Sequence, residues 1–92
     1  MITTPQYVTH DDVHNLDEAL GQWLLPRIQK YRKETCYCPP DLTNDEWDEV
    51  LWSIENAALA LYNPKGVPLE LRESEIYIGL ISLAHYATHL WY

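Results

Sequence analysis

The chain reads as an all-α protein, a compact bundle of three main helices in a single domain covering residues 1–92. Three observations predict this class. Apolar residues recur at steps of three and four in three separate stretches, which is the spacing of one helix face. Two proline-marked segments, Cys36-Tyr37-Cys38-Pro39-Pro40 and Asn63-Pro64-Lys65-Gly66-Val67-Pro68, divide those stretches. Hydrophobic residues make up 47% of the chain and charged residues 22%, a balance too apolar for intrinsic disorder.

The first stretch runs from about Thr9 to Glu34, with Val13, Leu16, Leu20, Trp23, Leu24, Ile28 and Tyr31 on one stripe. Two starts are open: Thr9 caps with Asp12 three residues on, or Asn15 caps with Glu18. Pro26 lies inside the pattern and removes a helical hydrogen bond, so the spacing predicts a long first helix kinked near Gln22–Leu25. Consecutive prolines then force extended backbone. Thr43-Asn44-Asp45-Glu46 is a capping box, and acidic residues crowd the positive end of the helix it opens. The stripe Trp47, Val50, Leu51, Ile54, Ala58, Leu61 predicts a second helix over residues 44–62.

The third helix begins between Leu69 and Glu75 and runs to Trp91. Its polar arc is narrow, Ser82, His85 and His89, and most of its circumference is apolar, so the pattern predicts burial on several faces. In a three-helix protein that means a central position or a subunit interface. Trp52 and Leu59, off the main stripe of the second helix, point the same way. A homo-oligomer is the expectation, with extra packing inside one molecule as the alternative.

Six Lys+Arg against 14 Asp+Glu give a formal net charge of −8, which argues against general nucleic-acid binding. The longest apolar run, Ile76–Ala84, falls far short of the roughly 20 residues of a membrane span. Neither a basic start nor an apolar stretch marks a signal peptide, and two Cys make no disulfide framework, so reduced thiols in a reducing compartment are expected.

Asn15-Leu16-Asp17-x-x-Leu20 leading into Trp23-Leu24-Leu25-Pro26-Arg27-Ile28, then Leu42-Thr43-x-x-Glu46-Trp47-Asp48-Glu49-Val50-Leu51, then Gly79-Leu80 and a final Leu90-Trp91 form three blocks. Together they resemble a family of small accessory proteins encoded by tailed bacteriophages, over most of the chain from Asn15 onward. The Cys36–Pro40 loop and the apolar final stretch depart from that family's pattern. What the resemblance implies is a non-structural phage protein acting in the host bacterial cytoplasm.

Arg27, Lys30, Arg32 and Lys33 place four of the six cations within seven residues. On a helical wheel Trp23, Arg27, Lys30 and Tyr31 share one arc, and Lys33 lies close by. Aromatic rings stack on a base while a guanidinium and ammonium take phosphate oxygens, which suits a small nucleotide. Cations at a helix C-terminus also simply offset its dipole. The acidic start Asp45, Glu46, Asp48, Glu49 is the alternative partner surface, able to meet a basic face of a host protein.

All four histidines fall in two i, i+4 pairs, His10/His14 and His85/His89, yet neither pair carries the Glu of a metalloprotease helix. Cys36-x-Cys38 has one residue between its thiols where zinc and redox motifs have two. No phosphate loop or nucleophile elbow is present. The expectation is therefore a non-enzyme with no cofactor and no bound metal: a phage counter-defence protein that sequesters a small anionic signalling nucleotide. An acidic inhibitor of a host defence effector and a self-assembling phage accessory are the alternatives.

Overall fold

Thr43 opens the best-defined helix as its sequence announces. Its Oγ1 accepts from the Glu46 N–H at 3.1 Å while its own N–H donates to Glu46 Oε1 at 2.9 Å, satisfying two otherwise orphaned donors. In the computed structural model, which describes residues 15–90, this is the second of three helices: α1 spans Leu16–Glu34, α2 Asn44–Tyr62 and α3 Glu73–Tyr86. Single 3-10 turns, Leu69–Leu71 and Ala87–His89, precede and follow α3, and no strand occurs among the described residues. The bounds of α2 coincide with those its stripe predicts.

Asn15 occupies the N-cap position of α1 without a side-chain cap bond, and the Thr9 start lies outside the described residues. α1 continues through Pro26 as one helix. Its 19 described residues equal the length of α2, so the greater length expected of it is not found within them. At the far end of α2, Asn63 adopts a left-handed φ of 51°, and its N–H closes on the Leu59 carbonyl at 2.8 Å. The Asn63 side chain then bonds both the N–H and the carbonyl of Val67, at 2.8 and 3.1 Å, which holds the loop in shape. Arg72 donates to the Ala60 and Val67 carbonyls, each at 2.9 Å. It thereby supplies the cation that the last turn of α2 lacks.

α2, not the last helix, holds the centre. Both Ala57 and Ala58 are completely buried because a helix packs on each. On one side Gly21 of α1 lies so close that a Cβ would collide with the Tyr62 nitrogen and the Ala58 carbonyl. On the other, a Cβ on Gly79 of α3 would collide with Ala57 Cβ and the Ser53 carbonyl. The Cα atoms of α1 and α3 nowhere approach each other within 8 Å, so among the described residues the bundle is open, with α2 as the wall they share. Of the two readings of the last helix, the central position is not the one found: small residues let α2 accept two neighbours, whereas α3 offers one such close contact.

Ile28, Trp47, Leu51 and Ile54 form the core, with Leu24 and Tyr31 from α1, Leu83 and Tyr86 from α3, and Cys38, Leu42 and Leu90 packed around them. Burying Leu51 and Ile54 stabilises the fold by about 1.5–3 kcal/mol each. The Trp47 ring is set edge-on to Tyr37 and Tyr86, at centroid distances of 6.4 and 5.5 Å. Its buried Nε1 has no hydrogen-bond partner among the described residues.

Candidate functional site

The cationic cluster divides once it is folded. Arg32 turns toward α2, where its Nε and Nη2 donate to the two carboxylate oxygens of Asp48 at 2.8 and 3.1 Å, and its Nη1 to Glu55 at 3.3 Å. The hydrogen bond from Arg32 holds the Asp48 carboxyl below its ordinary range, and the same bond lifts the Arg32 guanidinium above its own. This charge is spent inside the molecule as a bidentate clamp between α1 and α2.

Arg27 behaves differently. Its Nη1 donates to the Trp23 carbonyl one turn back at 2.8 Å, and its guanidinium carbon lies 4.4 Å from the Trp23 ring centroid. The pair is a cation–π stack on an exposed flank, with Trp23 57% exposed and no carboxylate on Arg27 among the described residues. Lys30 pairs with Glu34 at 3.3 Å along the helix, a contact of little energetic weight at that exposure. Lys33 is exposed and makes no ion pair among the described residues.

Tyr31, placed on the same arc by helical spacing, packs instead against the core, half-buried. Trp23, Arg27 and Lys30 thus share an exposed flank that Tyr31 does not wall in. A shallow depression of about 450 Å³ beside them is lined by Pro26, Gln29, Lys30, Lys33 and Glu34. It offers two ammonium groups and one carboxylate.

The acidic start of α2 is also partly committed. Glu46 closes the capping box and Asp48 holds Arg32, which leaves Asp45 and Glu49 as exposed charges at the helix start. Of the histidines, His10 and His14 lie outside the described residues. His85 lies in the last turn of α3 with its ring 4.6 Å from that of Tyr86, whereas His89 sits in the following 3-10 turn, its Nδ1 hydrogen-bonded to the Tyr37 hydroxyl at 3.0 Å. Cys36 and Cys38 are free thiols, and Cys38 Sγ donates to the Pro39 and Leu42 carbonyls. No group of three or more His, Cys, Asp or Glu is gathered among the described residues.

Two surfaces have no counterpart in the charge pattern. The outer side of α3 carries a groove of about 420 Å³ lined by Leu69, Ile76, Tyr77, Leu80, Ile81 and Ala84, with Glu73 at one end. Tyr77 and Ile81 are 67% and 52% exposed there. The signal was present in the sequence as the narrow polar arc of the last helix. The second is a hollow of about 350 Å³ behind the Asn63–Arg72 loop, where Leu59, Val67 and Leu71 meet Asn63, Lys65 and Arg72. No local motif marks it, because it is assembled by the left-handed Asn63 and the reach of Arg72.

No described helix is long and apolar enough to cross a membrane. Comparison of the chain with protein-family models, with curated proteins and with solved structures returns no match.

Proposed function

We propose that the chain is a non-enzymatic phage accessory protein of the counter-defence type, which acts in the host cytoplasm by docking a partner on the exposed flank of α1. One observation carries this reading: an exposed Trp23 bearing the Arg27 guanidinium on its face, with no carboxylate of the described chain neutralising it. Trp and Arg are the residues that dominate binding hot spots, because they combine large apolar area with directional donors. An exposed aromatic anchor with no enclosing walls suits the surface of a macromolecule, whereas small molecules are held by concave sites. The matching partner surface has an apolar slot for the indole and carboxylates for Arg27, Lys30 and Lys33, as on an acidic face of a host defence protein. Trp23→Ala and Arg27→Ala each abolish capture of that partner from host lysate while leaving the far-ultraviolet circular dichroism unchanged. A partner retained equally by both variants refutes the α1 flank as the docking site.

Sequestration of a small anionic nucleotide is the second reading, supported by the depression that brings Lys30 and Lys33 together next to Trp23–Arg27. Its signature is a nucleotide released on heat denaturation of the purified protein and identified by mass spectrometry. Silence in that assay, and in calorimetric titration with cyclic and ADP-ribose-like nucleotides, removes it.

A further inference from the structure

We infer that the outer stripe of α3 seats the same stripe of a second copy, antiparallel, in a two-fold symmetric dimer. Glu73, Ile76, Tyr77, Leu80, Ile81 and Ala84 follow one another at steps of three, one, three, one and three, the spacing of a continuous helical stripe. It is distinct from the side of α3 that meets α2 through Gly79 and Leu83. A groove running along such a stripe takes another helix.

Two features identify that helix as a copy of α3. The first is shape. With the two-fold axis between Leu80 and Ile81, residue numbers across the contact add to a constant, and Tyr77 of each copy falls opposite Ala84 of the other. The largest side chain of the stripe then meets its smallest, twice, while Leu80 of each copy packs on Ile81 of the other beside the axis, as an isologous contact requires.

The second feature is charge. The acids near this face, Glu70 and Glu73, sit at its start, and residues 76–90 contain no Asp or Glu but carry His85 and His89. Antiparallel pairing places each acidic end beside the acid-free end of the other copy. Parallel pairing stacks the acids of both copies together, which is unfavourable. The stripe itself is neutral beyond Glu73, so the net charge of −8 does not oppose closure at its centre. α3 is 14 residues long, about 21 Å, so the contact is short and the dimer dissociates on dilution.

Sedimentation velocity of the full chain over a range of concentrations tests this. The expected result is a concentration-dependent rise from the 10.8 kDa chain to twice that mass. Ile81→Glu puts two like charges at the axis and raises the dissociation constant about 100-fold or more. Should that variant lose its helical circular dichroism, Tyr77→Arg, at a side chain that is more exposed still, replaces it with the same expectation. Tyr77→Ala and Ala84→Tyr each weaken the dimer, and the double swap restores it. A monomer at every concentration overturns the inference, as does a monomer that instead binds a different protein on this stripe. A dimer indifferent to Ile81→Glu, or a swap without recovery, overturns it equally.

Discussion

α1 and α3 flank the same helix by the same device, a glycine pressed onto α2, and yet they leave opposite surfaces behind. α1 is fastened by the Arg32 clamp to Asp48 and Glu55, and its outer flank is charged, with Trp23 as an exposed aromatic. α3 has no ion pair to α2 among the described residues; its polar link is the Ser53–Ser82 hydroxyl pair at 3.2 Å, and its outer stripe is apolar. The lesson is that burial of one face does not dictate the chemistry of the other. A helix can be held by a glycine contact, a few core side chains and one hydroxyl pair, without an ion pair, and so keep its remaining circumference for other contacts.

The sharpest way to break this comparison is to truncate one residue type at two depths. Ile54→Ala, at a position with no exposure, destabilises the chain by about 2–5 kcal/mol in urea unfolding. Ile81→Ala, measured at dilution, changes stability by no more than about 0.5 kcal/mol. Equal effects would mean that the outer stripe of α3 is covered within one molecule. Next come the glycines. Gly21→Ala and Gly79→Ala each cost about 1–3 kcal/mol through overpacking, beyond the gain in helix propensity. They differ in rescue: the Gly79 clash includes the Ala57 side chain, so Ala57→Gly relieves part of it, whereas Gly21 meets backbone only. A double-mutant cycle with near-zero coupling between positions 57 and 79 would contradict the described crossing.

Smaller effects separate the fastenings. Arg32→Ala costs about 1 kcal/mol, since one partner, Asp48, is 55% exposed, and added salt shrinks the loss. Ser82→Ala costs less than about 0.5 kcal/mol, because Ser53 Oγ retains its bond to the Val50 carbonyl at 2.7 Å. The clamp also has a pH signature. Arg32 lowers the pKa of Asp48, so the folded state gains stability that is fully present above the ordinary Asp value of 3.8 and fades as the pH falls through the lowered one. Acid titration of stability in wild type and Arg32→Ala should therefore converge at low pH.

The helices were legible because local chemistry decided them. The Thr43–Glu46 box and the 44–62 stripe required no tertiary information, and the apolar excess of α3 announced a surface in need of cover. Which helix stood in the middle was not legible, because it rests on Ala57, Ala58, Gly21 and Gly79, residues whose smallness matters only once a neighbour arrives. The cationic cluster was visible as a group, but its division was not. Five residues of helix set Arg32, which reaches Asp48, about 140° around α1 from Arg27, which stacks on Trp23, and register against α2 sets which of them is spent. Tyr31 was assigned to the same arc, and the pull of the core took it away. The Asn63–Arg72 hollow had no linear trace at all.

The absence of any close approach between the α1 and α3 backbones makes α2 the common trunk of two branches. Either branch can detach while the other stays docked, so amide exchange should release α1 and α3 at separate free energies and α2 last of all. Substitutions on the two branches combine additively wherever they avoid both the trunk and the core that the branches share.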